Sequence, residues 1–434
     1  MARPSTLTID QSWTHLRISY CEDTTPTNDC PEYYAGDALN PSSISCGTLH
    51  PGPPPYYHYS NYKTIAEKDG SYWKLMNNGE TYSVINGGQI KTNGKTGVTL
   101  NFDSSGGKLY FTANDTITVN TTGSGIVQVE GTSGTINTTS ASKFDLSAGS
   151  NITITGLVSG NNEITLGSSN HITTGSGDDH ITVNGTSNTV NAGDGDNVIT
   201  VHGSSNKITT GANSDDITID GASNTVNAGD GANVITVSGD HNSIVSGSGK
   251  DTISMTSSHS TVKSGDGSDS ITVSGSDNKI DAGNGDNEVT VAGNQNSIVS
   301  GNGKDTISIS SGDSITVNSG AGDDNITASG NSDIINAGDD NDSVTMTGNS
   351  NTVNAGNGND HVTISGSDNK VDAGDGNNEV SVSSGNSNSI ISGTGKDTIS
   401  ISSGDSITVN SGAGDDNITA SGNSDIINAG DDND

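Results

Sequence analysis

Basic residues, aromatic residues and long apolar runs are all scarce in this chain. Only 16 Lys and Arg stand against 51 Asp and Glu in 434 residues, a formal net charge of −35. Affinity for a nucleic-acid backbone comes largely from cationic side chains that displace counterions, so a nucleic-acid partner is excluded, and an anionic membrane surface likewise. No run approaches the length of a membrane-spanning helix, and the opening Met-Ala-Arg-Pro-Ser-Thr lacks the apolar stretch of a signal peptide. Aromatics make up 3% and hydrophobic residues 28% of the chain, too little for one large compact core. What remains is disorder, or a repeat fold in which each unit buries a little apolar surface against its neighbours.

The scarcities are uneven. No Arg follows Arg17 and no aromatic follows Phe144. From Gly175 onward 37 acidic residues face 7 Lys, which leaves −30 on the last 260 residues. A compact state with that much like charge repels itself unless cations neutralise it. The three cysteines, Cys21, Cys30 and Cys46, fall in the first fifty residues. Their spacing fits no zinc pattern, and one disulfide with a leftover thiol is the preferred reading.

Three regions follow from composition. Residues 1–100 form an irregular N-terminal head or cap that holds Trp13, Trp73, most tyrosines and the Pro-rich stretch from Pro51. Residues 101–174 are imperfect solenoid turns with short alternating runs such as Thr116-Ile-Thr-Val. Residues 175–434 are a regular repeat of 18-residue turns: GSGDDHITVNGTSNTVNA from Gly175, then GDGDNVITVHGSSNKITT from Gly193, and so on with a few 19-residue turns. Fixed self-similarity of this length is the mark of a solenoid.

Each turn has two halves. A corner G-x-G-x-D/N leads into x-I-T-V, and a second corner G-x-x-N leads into x-I/V-x-A/S. Strand alternation sends Ile199, Val201 and Ile208 inward and Thr200 and Lys207 outward. Ile181, Ile199, Ile217, Ile235, Ile253 and Ile271 make one inward ladder; Val190, Ile208, Val226, Ile244, Val262 and Ile280 make the facing one. Ala192, Ala228, Ala282 and Ala337 close turns. The expected fold is all-β, a parallel β-solenoid with a thin aliphatic core. Residues 303–342 recur unchanged at 395–434, and because the chain stops inside a turn, either continuation beyond Asp434 or an open polymerising end is expected.

Position five of the first corner carries the candidate chemistry. It is Asp179, Asp215, Asp251, Asp269, Asp305, Asp324, Asp342, Asp360, Asp397, Asp416 and Asp434, interspersed with Asn197, Asn233, Asn287 and Asn378. Stacking places these carboxylates in one column, where like charges repel unless a cation intervenes. Ca²⁺ takes six to eight hard oxygen ligands in flexible geometry, so adjacent loops supply both carboxylates and main-chain carbonyls. The competing reading is that these Asx side chains only satisfy turn backbone groups. The four Asn, and Lys250, Lys304 and Lys396 beside Asp, favour it locally; the overall charge opposes it.

These corners resemble the RTX family, whose β-roll is built from G-G-x-G-x-D-aliphatic nonapeptides. Ser246-Gly-Ser-Gly-Lys-Asp-Thr-Ile-Ser carries the pattern. Ala192-Gly-Asp-Gly-Asp-Asn-Val-Ile-Thr and Ala373-Gly-Asp-Gly-Asn-Asn-Glu-Val-Ser keep its glycines and aliphatic position but put Asn at the ligand place. The resemblance implies Ca²⁺ bound between turns by the eleven aspartates above, in a bacterial protein of the cell surface or extracellular space, often exported unfolded by a type I system. RTX rolls carry Gly-rich Asp loops on both edges. Here the second corner offers Asn188, Asn206, Asn224, Asn242, Asn278, Asn296, Asn351, Asn369 and Asn388, whose amides ladder without metal. Calcium is therefore expected on one edge only. The RTX export signal is also absent from the C-terminal residues.

The function expected is that of a calcium-dependent structural or adhesive protein: a surface-layer, filament or adhesin-stalk component. It would assemble with itself, or with another surface protein, through the N-terminal head, and it would not be an enzyme. The alternative is the repeat part of a secreted RTX enzyme or toxin. An outward column of Thr182, Thr200, Thr218, Thr236 and their successors raises ice binding. The neighbouring column (His180, Val198, Asp216, Val234) is irregular, however, and β-propensity explains one Thr column. The nine His are scattered, and no nucleophile, base and orienting acid recur together.

Overall fold

In a run such as Val198-Ile-Thr-Val every second side chain lies on one face, and β-branched residues suit the extended backbone. The computed structural model describes residues 7–10, 17–21, 34–35, 62–69, 71–85, 87–112, 114–122, 124–138, 142–157 and 160–430. Among them are strands and turns but no helix, and so none long and apolar enough to cross a membrane. The architecture is an all-β parallel β-solenoid. Its contacts divide the chain into two units, Met1–Asn206 and Lys207–Asp434.

In the first unit, Arg17–Cys21 pairs antiparallel with Tyr62–Asp69, which pairs antiparallel with Tyr72–Leu75. From Tyr72–Leu75 onward the ladder is parallel, and it starts earlier than the composition suggested. Trp73 lies opposite Ile90, Ile90 opposite Leu109 and Leu109 opposite Val129, partners 17, 19 and 20 residues apart. Within the stretch read from the sequence as an N-terminal head or cap, residues 72–100 thus already pair as parallel strands. The core filling hides this in the sequence. Trp73, Tyr82, Phe102, Phe111 and Phe144 point inward at 1% exposure or less, and bulky rings with uneven turn lengths hide the 18-residue aliphatic pattern. The cysteine pairing and the Pro-rich stretch lie outside the described residues. Toward the end of this unit the spacing settles to 18, as between Ile181 and Ile199.

The second unit is regular. On one sheet Ile217, Ile235, Ile253, Ile271 and Val289 lie in register. On the other, Ile208, Val226, Ile244, Val262 and Ile280 do. All ten are buried, at 2% exposure or less, so each contributes about 1.5–3 kcal/mol of burial free energy. Two of the 19-residue turns show as register shifts, between Val291 and Ala292 and between Ile364 and Ser365.

The corners differ in backbone. At the first, Gly285 has φ +120°, and a Cβ there would sit 1.9 Å from the Gly267 carbonyl oxygen, so the turn requires glycine. At the second, the left-handed residue carries a side chain: Ser223 (59°), His241 (61°) and Asp277 (60°).

Candidate metal centre

The glycine-rich corner reverses the chain so that the residue after it, at the head of the strand, faces the interior. Asp179, Asp215, Asp251, Asp269, Asp305, Asp324, Asp342, Asp360, Asp397 and Asp416 are accordingly buried, none more than 6% exposed. Asp434 lies outside the described residues. One carboxylate oxygen accepts the main-chain N–H of the Asx one turn earlier: Oδ1 of Asp269 from Asp251 (2.8 Å), of Asp324 from Asp305 (2.8 Å), of Asp342 from Asp324 (2.9 Å) and of Asp360 from Asp342 (2.8 Å). Asp179 accepts from Asn162, Asp397 from Asn378 and Asp416 from Asp397 in the same way. Asp215 gives its N–H to Asn233 Oδ1 at 3.0 Å. The turn-satisfying role of these Asx side chains is thus real, and it occupies one oxygen of each carboxylate.

The other oxygen is the unusual one. Oδ2 of Asp179, Asp251, Asp269, Asp305, Asp324, Asp342, Asp360 and Asp397 is buried with no hydrogen-bond partner. The asparagines of the same column show what surrounds that position. The Asn287 amide nitrogen donates toward the carbonyl oxygens of Gly283 (3.4 Å), Gly285 (3.0 Å) and, from the following turn, Ser300 (3.3 Å). Asn378 does the same to Gly374 (3.2 Å), Gly376 (3.4 Å) and Ser392 (3.3 Å). Asn233 faces Gly229, Gly231 and Ser246. By the repeat register, an Asp in this place directs a bare oxygen at the same kind of carbonyl cluster. An unsatisfied buried oxygen among other oxygens is costly unless a proton or a cation joins it.

Burial accordingly raises these carboxyl pKa values, more than the donated N–H groups lower them. Asp305 is pushed up to about 6 and Asp342 to about 8; neighbouring acids add to the shift, Asp324 on Asp305 and both Asp324 and Asp360 on Asp342. Asp179, Asp251, Asp269, Asp324, Asp360 and Asp397 are raised as well, burial being the largest cause in each.

Sequence reasoning missed a hydroxyl column five residues before the acid. Ser246, Ser264, Ser300, Ser319 and Ser392 lie beside Asp251, Asp269, Asp305, Asp324 and Asp397 and hold their pKa values down somewhat. The single hydrogen of each hydroxyl can serve either that acid or the carbonyl of its counterpart in the next turn, and as placed it goes to the carbonyl, Ser264 to Ala282 at 2.8 Å for example. Asp342 has Ala337 at this place and no such relief.

The second corner uses the same inward Asx, filled by amides. Asn188 donates its N–H to Asn206 Oδ1 (2.8 Å) and its amide to the Gly167 carbonyl (2.7 Å). In the second unit Asn278 receives the N–H of Ser260 (2.9 Å) and donates to the Ser257 carbonyl (2.9 Å). Turns are thus joined along this column chiefly through main-chain N–H to amide oxygen, with the amide nitrogens donating to main-chain carbonyls; Asn188 also reaches the next amide, Asn206 Oδ1, at 3.0 Å. Asp333 interrupts the run of amides: its Oδ1 accepts from Ile315 N–H at 2.8 Å, its Oδ2 has no partner, and burial raises its pKa.

Among the described residues no three His, Cys, Asp or Glu side chains converge as a metal-binding group. With one carboxylate per turn, a cation on this edge would draw most of its ligands from main-chain carbonyls. The donor set is oxygen alone, anionic and hard, which fits Ca²⁺ and disfavours metals that seek nitrogen or sulfur.

Comparison with known proteins agrees with this chemistry. The family described as RTX calcium-binding nonapeptide repeat (4 copies) matches residues 164–199, 182–217 and 408–434. A second family, described only as a protein of unknown function (DUF3060), matches 201–259, 258–313 and 328–384. No curated protein and no solved structure matches the chain. Parallel turns of about 18 residues with inward aliphatic ladders define a β-solenoid repeat protein. Over residues 164–217 and 408–434 the corners match the RTX nonapeptide repeat, and together with the parallel turns this supports an RTX-type β-roll. Such repeats imply calcium binding and are typical of secreted bacterial proteins.

Proposed function

We propose that this chain is an extracellular or bacterial cell-surface structural or adhesive protein, a filament, surface-layer or stalk component whose first-corner edge binds Ca²⁺. The observation that carries the reading is the file of buried carboxylate oxygens that have no hydrogen-bond donor. Asp179, Asp215, Asp251, Asp269, Asp305, Asp324, Asp342, Asp360, Asp397 and Asp416 are the anionic ligands in this reading, with Asp434 as the eleventh by sequence. Calcium supplies charge compensation between turns, and the chain's own residues do the rest. The Asp Oδ1 atoms fix the turn spacing, the glycines bring carbonyls to the gap, and the Ile and Val ladders hold the sheets together. The protein performs no catalysis, and the N-terminal residues ahead of the parallel turns join it to a second copy or to another surface protein.

Because metal bound only by the folded state stabilises that state, folding and calcium are coupled. Circular dichroism of the full chain should show the β signal weakened in chelator and lost at a lower temperature than in millimolar Ca²⁺. A spectrum indifferent to calcium overturns the proposal. Light scattering of the full chain and of one lacking residues 1–71 tests assembly: self-association that needs both calcium and the residues ahead of the parallel turns is expected.

A further inference from the structure

The first-corner column is a mixture, and the mixture is ordered. In all four Asn turns the residue five places earlier is Ala: Ala192 before Asn197, Ala228 before Asn233, Ala282 before Asn287 and Ala373 before Asn378. Eight of the eleven Asp turns have Ser or Thr there instead, as in Thr174 before Asp179 and Ser246 before Asp251. Two positions five residues apart, on opposite sides of a corner, thus change together within one chain. Backbone requirements do not explain the correlation. Asp and Asn accept the previous turn's N–H equally well, at 2.8 Å for Asp305 from Asn287 and 3.0 Å for Asn287 from Asp269.

The difference lies at the other terminal atom. The Asn amide is a donor and it stands amid three carbonyl oxygens at 3.0–3.4 Å in the case of Asn287, so its two hydrogens do what a cation would do. A gap filled in this way has neither the charge nor the room for an ion, and a hydroxyl beside it has nothing to serve. The Asp oxygen has no hydrogen and leaves the cluster short of positive charge, and there the hydroxyl adds one more hard donor atom.

We infer that Asn197, Asn233, Asn287 and Asn378 are built-in substitutes for the cation, so that the Asp/Asn spelling of this column, seconded by Ser/Thr or Ala five residues earlier, sets which inter-turn gaps take Ca²⁺. This rests on the calcium reading above and goes beyond it by assigning four gaps in the file as metal-free. The ions then fall into separate groups: Asp251 and Asp269 are flanked by filled gaps, whereas Asp305, Asp324, Asp342 and Asp360 form a longer uninterrupted series.

The test compares calcium stoichiometry, by titration against a chromophoric chelator, with melting temperature in excess chelator, for full-length chains. Asn287→Asp, and the pair Ala282→Ser with Asn287→Asp, should each bind one more Ca²⁺ than the wild type. In chelator both should melt lower, because a bare oxygen replaces a donor. The reverse pair, Ser264→Ala with Asp269→Asn, should bind one fewer Ca²⁺ and melt higher in chelator. This opposite sign is one that a merely damaging substitution does not give, and it stands even if the Asn287 variants fail to fold. If the wild type binds calcium while the stoichiometry of the variants stays at the wild-type value, the amide inference is overturned and the calcium reading survives. If the wild type binds none, the calcium reading falls, and the assignment of gaps falls with it.

Discussion

The two corners of each turn use one device and end in different chemistry. At both, an inward Asx accepts the N–H of the turn before, at 2.8 Å for Asp269 and 2.9 Å for Asn278. At the second corner the remaining atom is an amide nitrogen that finds a carbonyl, so the edge is complete in itself. At the first it is usually a carboxylate oxygen that finds nothing. A difference of one atom, NH₂ against O⁻, separates an edge whose stability is intrinsic from one whose stability depends on the solution.

The largest effect expected from this contrast is collective and depends on pH. In chelator, the first-corner carboxyls have folded-state pKa values raised above the unfolded value of about 4. A raised pKa means that protonation favours the folded state. The stabilisation is complete below about pH 4 and lost as pH rises through the folded values, about 6 for Asp305 and about 8 for Asp342. The metal-free chain should therefore melt progressively lower from pH 4 to pH 8. With saturating calcium the trend should reverse, since the ligand is the ionised carboxylate. Parallel melting curves with and without calcium across that range would break the contrast between the edges.

Next in size is Asn278→Ala on the amide edge. It removes the acceptor of Ser260 N–H and the donor to Ser257, and leaves two buried groups unsatisfied. The cost should be about 2–4 kcal/mol, the same in calcium and in chelator, with no change in bound calcium. A cost that appears only in calcium would place metal on the second edge too. The smallest effect, about 1 kcal/mol, belongs to Asp333→Asn. The new amide would face the carbonyl of Gly312 as Asn351 faces that of Gly330 at 3.1 Å. Stability at neutral pH should rise, measured by denaturant unfolding, and a fall would show that Asp333 needs its charge.

The contrast was only half legible in the sequence. The ladders through Ile235 and Ile244 could be read directly, because a buried strand repeats its aliphatic residues at a fixed interval. The early turns could not: Trp73, Ile90, Leu109 and Val129 share a ladder at intervals of 17, 19 and 20, and such drift defeats any search for a period. The Asp column was visible as a column, and alternation from Ile253 sets Asp251 inward, but the pattern does not foretell that one oxygen of the carboxylate is left without a donor. Neither does it tell which oxygen of that carboxylate is already engaged. The hydroxyl column was in plain view, as the Ser in Ser246-Gly-Ser-Gly-Lys-Asp, and looked like small-residue packing until its neighbour was placed.

The 19-residue turns carry a separate consequence. Asp305 N–H reaches Asp324 Oδ1 across 19 residues at 2.8 Å, the same distance as Asp342 N–H to Asp360 Oδ1 across 18. The surplus residue is absorbed where the strand Thr306–Ser311 leaves the sheet, at the shift beside Ala292, and no column behind it loses step. The solenoid thus keeps time by its Asx columns and not by residue number. The outer ends of strands Thr306–Ser311 and Glu379–Ser384 are then natural points of length variation, where a loop, tag or foreign peptide is predicted to be accommodated with the turns on either side unchanged.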